Sequence, residues 1–230
     1  MSRSLKVLSA LLGYPTTELQ RAAGELREAL RADEVLPSVT AGNVERLIEE
    51  IADGDIFDLQ ERYVLLFDRT RFLSLHLFEH VHGESRDRGQ AMIDLKSLYE
   101  KNGLAISATE LPDFLPLFLE FLSTRPIEEA RELLGQTAHI LTVLAGRLRK
   151  RGSPYEAVLW ALVALAEAKG TVTDTSLLES EPDTDPDDLT ALDAAWEETP
   201  VVFGPEAAGN CKDDLVARIR AAKRPAARPQ

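Results

Sequence analysis

The sequence predicts an all-α fold, and three features carry that prediction. Apolar residues recur three and four positions apart through the first 170 residues. Prolines, glycines and capping hydroxyls divide those stripes into segments of helical length. No stretch alternates apolar and polar residues as a half-buried strand would. The expected organisation is one helical bundle of about eight helices over residues 1–170, then residues 171–230 as an acidic linker with a short helix and a basic, disordered tail.

Taken in order, Leu5, Leu8 and Leu12 make the stripe of a first helix, which Gly13-Tyr14-Pro15 stops. Thr17 and Gln20 have the spacing of a capping box for a second helix, reaching about Ala32. After Pro37 a third helix buries Val44, Leu47, Ile48 and Ile51, and Asp53-Gly54-Asp55 ends it. Leu59, Tyr63, Leu66 and Phe67 then fall at i, i+4, i+7 and i+8 on one helical face, until Asp68, Arg69 and Arg71 break the pattern. Ser74 is placed to cap a further helix with Leu75, Phe78 and His82 on one face and Gly83 at its end. A longer helix follows, running to Asn102-Gly103 over Met92, Leu95, Leu98 and Tyr99.

Pro112 and Pro116 forbid a regular helix across 110–116, so the next helix begins at Pro116 or bends there. Beyond it Leu117, Phe118, Leu119, Phe121 and Leu122 leave Glu120 as the only polar residue. A helix apolar all round either sits in the core or keeps a face for a ligand. Pro126 opens one long helix carrying Ile127, Ala130, Leu134, Leu141, Leu144 and Leu148, and the basic run Arg147 to Arg151 suits its C-terminal dipole. Ser153-Pro154-Tyr155-Glu156 starts the last helix, on Val158, Leu159, Leu162 and Leu165, with Ser153 as cap. From Thr171 to Glu198 there are ten Asp and Glu and no Lys or Arg, with a short helix expected near Asp187 to Trp196.

Composition narrows the function. The 44% hydrophobic content over 230 residues supports a real core. No apolar run approaches the roughly 20 residues of a membrane span, and Tyr14-Pro15 follows the N-terminal helix where a signal peptide would carry small residues. A lone cysteine, Cys211, excludes an internal disulfide framework, so a cytoplasmic location is expected. The net charge of −13 argues against nucleic-acid binding and is compatible with a basic partner.

The segment from Leu59 to Asp94 holds three of the four histidines. His76 and His80 are four apart, the spacing at which two imidazoles on one helix face grip a metal, with Glu79 and Glu84 nearby. His82 would point away, no cysteine completes a set, and the order is not His-Glu-x-x-His, so structural or interface histidines are preferred to a metal-dependent hydrolase. There is no phosphate-cradling glycine loop, and Arg69, Arg71, Arg86 and Arg88 read as ion-pair partners of Asp68, Asp87 and Glu84 in preference to an anion site. What remains is a binding surface. Tyr63, Leu66, Phe67, Phe114, Phe118 and Phe121 offer more bulky apolar groups than a small core easily hides, beside Glu61, Leu75, His76, Phe78, Glu79 and His80. Such a groove suits an amphipathic peptide helix with basic ends.

These residues also carry a resemblance. Glu61-Arg-Tyr-Val-Leu-Leu-Phe67 resembles the E-x-Y-x-x-L-F signature of the TorD-like redox-enzyme maturation chaperones. The continuation from Asp68 to Met92 is similar to the NarJ branch, the assembly chaperones of respiratory nitrate reductase (the delta subunit), as are Leu111 to Leu122 and Trp196 to Gly204. The likeness spans roughly residues 5–204. It implies a TorD/NarJ-like helical bundle without catalytic activity, which binds the N-terminal leader of the nitrate reductase catalytic (alpha) subunit and supports cofactor insertion before membrane docking. It also implies that no cofactor is bound stably, the molybdenum bis-guanine-dinucleotide belonging to the client enzyme. A chaperone of another molybdenum enzyme is the alternative within the same fold.

Overall fold

The computed structural model describes residues 2–69, 71–81, 86–107 and 110–167. The expected acidic linker, its short helix, the basic tail, Cys211, His82, Gly83 and Glu84 lie outside the described residues. Ten α-helices are present among the described residues, and no β-strand. They are α1 (Arg3–Leu11), α2 (Thr17–Arg21), α3 (Ala23–Asp33), α4 (Ser38–Asp53), α5 (Ile56–Tyr63), α6 (Arg86–Lys101), α7 (Leu115–Ser123), α8 (Ile127–Gly135), α9 (Ala138–Lys150) and α10 (Glu156–Glu167). None is long and apolar enough to cross a membrane.

One continuous core joins them. α1 packs on α7 and α3, while α10 packs on α9, α4 and α8. Leu8, Leu11, Leu119, Phe121, Leu141 and Leu162 are all fully buried where these helices meet. The N-terminus is tied down by polar contacts: Ser2 Oγ caps α1 by accepting from the Leu5 N–H, and it donates to Asp33 Oδ2 at 2.6 Å. The Ser2 hydroxyl and the Ser4 N–H, both donating to it, hold the Asp33 carboxyl below its usual pKa against the opposing effect of partial burial.

Two expected helices are each split in two, which accounts for most of the difference from about eight. The second breaks at Ala22, and its cap is Thr16, whose Oγ1 accepts from the Leu19 N–H at 3.2 Å. Gln20 spends its amide on the carbonyls of Ile51 and Gly54, at 2.9 and 2.8 Å, which ties α2 to the end of α4. The long helix after Pro126 breaks at Gln136-Thr137. Thr137 is buried, and its hydroxyl donates back to the Leu134 carbonyl at 2.8 Å, a local bond that competes with the continuing ladder.

Two expected caps also differ. Ser153 does not cap α10: its Oγ is buried without a partner among the described residues, and the chain enters through a tight turn in which the Ser153 carbonyl accepts from the Glu156 N–H. Ser74 does not start an α-helix. Its Oγ accepts from the His76 N–H only two residues on, and the chain continues in short 3-10 turns at Arg71–Leu73 and Leu77–Glu79. At Gly103 the structure agrees with the sequence: its φ of +81° closes α6 in a conformation that costs glycine nothing.

Candidate functional site

The signature residues sit on α5 and the turn beyond it. Asp55 Oδ1 starts α5 by accepting the Phe57 and Asp58 N–H groups at 2.8 and 3.4 Å. Leu59 and Tyr63 face inward, and the Tyr63 hydroxyl donates to the Leu12 carbonyl at 2.9 Å. Burial pushes that hydroxyl's pKa well above the usual value. From Val64 to Asp68 the helix widens into a π-turn, marked by the Arg69 N–H donating to Val64 O at 3.0 Å. The wider turn keeps both Leu66 and Phe67 pointed at the core. Phe67 meets Tyr63 at 4.9 Å and Tyr155 at 5.2 Å between ring centroids.

The opposite face of α5 is different. Phe57 is 74% exposed and Val64 39%. Glu61 lies between them at helical spacing, is exposed, and its side chain makes no hydrogen bond or ion pair among the described residues.

The segment 71–81 is held by one buried carboxylate. Asp113 is 0% exposed. Its Oδ2 accepts from the Phe78 N–H at 3.1 Å and its Oδ1 lies 3.3 Å from His76 Nδ1. On either side the backbone pairs like a fragment of sheet: Leu77 N–H donates to Asp113 O at 3.0 Å and Leu115 N–H to Leu75 O at 2.8 Å. Asp113 raises the His76 pKa above the ordinary 6.5, partly offset by burial, with Glu79 adding and Arg88 opposing. His80 Nε2 lies 2.8 Å from the Ser74 carbonyl, and Arg88 reaches Glu79 at 3.3 Å. The His76 and Phe114 rings lie 5.3 Å apart. Arg147 braces the start of the segment, donating to the Phe72 carbonyl at 2.7 Å beneath the Phe72 ring.

The expected site residues therefore divide. Tyr63, Leu66, Phe67, Leu75, Phe78, Phe118 and Phe121 are core residues. The expectation that these rings exceed what the core can hide does not hold: ten helices enclose more than the sequence stripes suggested, and only Phe114 of the named rings is partly uncovered. Glu61, His76, Glu79, His80 and Phe114 remain reachable from solvent. His76 and His80 do not share an α-helix face, because the chain between them is a single 3-10 turn, and they turn to different partners, Asp113 and Ser74. Among the described residues no group of three His, Cys, Asp or Glu could hold a metal ion. Glu79 pairs with Arg88, an ion pair the sequence reading assigned to other acids.

Sequence reasoning missed Asp113 and the exposed pair Phe57 and Val64. Asp113 had a signal: a single acid between two prolines in an otherwise apolar run has no solvent to face and needs internal donors. Phe57 and Val64 had none, since an exposed apolar residue differs from a buried one only in tertiary context.

Comparison with known proteins adds what geometry does not. Residues 14–160 match the family described as nitrate reductase delta subunit. The chain is 44% identical over 200 residues to the nitrate reductase molybdenum cofactor assembly chaperone NarJ of Escherichia coli (strain K12), covering 86% of this chain and 84% of that one. It is 40% identical over 207 residues to the probable nitrate reductase molybdenum cofactor assembly chaperone NarW of the same strain, covering 90% and 86%. It is 31% identical over 167 residues to the probable NarJ of Bacillus subtilis (strain 168), covering 73% and 90%.

Proposed function

The chain belongs to the nitrate reductase delta subunit family, and from that premise we propose that it is a non-catalytic assembly chaperone for the catalytic subunit of a nitrate reductase. It grips that subunit's N-terminal leader, keeps the apoenzyme open while the molybdenum bis-guanine-dinucleotide cofactor enters, and acts before the enzyme docks at the membrane. The cofactor is the client's cargo, and no residue here is assigned to hold it.

The observation that supports this reading best is the outward face of α5. The signature's Tyr63, Leu66 and Phe67 are spent on the core, yet its Glu61 stands in solvent, without a partner among the described residues, between exposed Phe57 and Val64. An acid flanked by apolar groups matches a helical peptide that carries a basic residue on its apolar face. His76, Glu79, His80 and Phe114 contribute the second part of the surface, and the seven buried residues position both parts. Docking that removes about 400 Å² of apolar surface supplies roughly 10 kcal/mol gross at about 25 cal/mol per Å². Ordering a free peptide consumes part of that, leaving affinity in the micromolar range.

Co-purification tests the function directly. The tagged chain is expected to bring down the nitrate reductase catalytic subunit, and a client lacking its N-terminal segment is expected to be lost. Equal capture of the truncated client would refute leader recognition while leaving an assembly role standing.

A further inference from the structure

Asn102-Gly103 closes α6, and both residues stand in solvent. The Gly103 N–H donates to the Glu100 carbonyl at 3.1 Å and the Leu104 N–H to the Tyr99 carbonyl at 3.0 Å. Asn102 adds a third bond, its Nδ2 donating to the Leu98 carbonyl at 2.8 Å. Gly103 has a φ of +81° and open space where a Cβ would stand, so no side chain crowds the approach to its backbone nitrogen.

An asparagine followed by glycine is chemically poised, because the next backbone nitrogen can reach the carboxamide carbon and close a five-membered ring. Here the fold holds both reactants off. The nucleophilic nitrogen is engaged with Glu100, and the carboxamide is turned back onto Leu98. These bonds lie in one solvent-facing turn, and such helix ends open at a small fraction of the global unfolding free energy.

We propose that Asn102 is a site of spontaneous covalent modification, converted to aspartate or isoaspartate when the last turn of α6 opens. Base removes the Gly103 amide proton, the nitrogen attacks Asn102 Cγ, and the carboxamide C–N bond breaks with loss of ammonia. The succinimide then takes up water at either carbonyl, leaving aspartate or isoaspartate. The net change is amide plus water to acid plus ammonia, with no oxidant or reductant.

The product cannot restore the turn. A carboxylate has no N–H for the Leu98 carbonyl, and its charge sits at the negative end of the helix dipole. Isoaspartate also lengthens the main chain, which shifts Gly103 and Leu104 off their acceptors. Tyr99 belongs to this turn, and its hydroxyl donates to the Pro112 carbonyl at 2.8 Å. The next residue is the buried Asp113 that holds the segment 71–81. Modification at Asn102 therefore loosens residues 113–115. Its readouts, mass and amide exchange, do not depend on leader recognition.

The full-length chain is aged at mildly alkaline pH, and each asparagine is followed by mass spectrometry of peptides cut at low pH. Asn43, inside α4 and followed by the β-branched Val44, is the internal standard. Asn102 is expected to convert at least about tenfold faster than Asn43, and about tenfold slower in the folded chain than in the same chain unfolded by guanidinium chloride. The aged wild type is expected to lose amide protection at 113–115. Asn102→Gln, whose longer side chain closes a ring far more slowly, is expected to keep it. Conversion of Asn102 no faster than that of Asn43 would overturn the proposal. So would equal rates in the folded and unfolded chain, or an equal loss of protection in the aged Asn102→Gln protein.

Discussion

α7 and the segment 71–81 bury equally apolar sequence by opposite means. α7 satisfies its own backbone, so its leucines and phenylalanines need only neighbours, and α1 and α8 supply them. The segment 71–81 forms no α-helix, and its buried Leu75, Leu77 and Phe78 rely on hydrogen bonds borrowed from residues 113–115. In the first region hydrophobicity is sufficient. In the second, one carboxylate decides whether burial is possible, because an unmade buried hydrogen bond costs more than a made one contributes.

The largest loss of stability is expected from α7. Phe121→Ala removes a fully buried ring that packs on Tyr99 at 4.8 Å, and chemical denaturation is expected to show a loss of about 3–5 kcal/mol. Asp113→Ala should cost about 2 kcal/mol by stranding the Phe78 N–H. Its signature is local: amide exchange should accelerate in 71–81 before the α1 and α9 amides respond. Uniform acceleration would mean that the segment is not a separate unit.

A smaller effect sharpens the same contrast through pH. The folded-state pKa of His76 lies above the ordinary 6.5, so its pairing with Asp113 contributes stability that is fully present below about pH 6.5. That contribution is lost as pH rises through the folded-state value. His76→Gln should therefore cost more stability at pH 5.5 than at pH 8.5, by up to about 1 kcal/mol for a partly exposed pair. Glu79 and Arg88 also face the imidazole, and an equal cost at both pH values would assign the effect to packing instead of charge.

These differences track what a sequence can show. The stripe Leu5, Leu8, Leu12, the stop at Gly103 and the start of α7 beside Pro116 were legible because helix period and backbone punctuation are local. The breaks at Ala22 and Thr137 were not, because spacing does not reveal bonds such as the one from the Thr137 hydroxyl back to the Leu134 carbonyl. The site was half legible. The signature located α5, but periodicity assigns residues to a stripe and cannot say whether that stripe is core or surface, so Tyr63, Leu66 and Phe67 were expected on the wrong side of the boundary. The pairing of His76 with Asp113, 37 positions apart, had no sequence pattern to announce it.

The smallest expected change in stability belongs to the outward face of α5. Phe57→Ser and Glu61→Gln should each change the unfolding free energy by no more than about 0.5 kcal/mol, since both side chains are largely in water already. Their effect belongs to the client. Titration calorimetry of the leader peptide of the nitrate reductase catalytic subunit into wild-type and doubly substituted chains, at several temperatures, tests the account most directly. It predicts a negative heat-capacity change for the wild type and affinity about tenfold weaker or worse for the variant, at unchanged helicity. Identical affinity in the two proteins would contradict it.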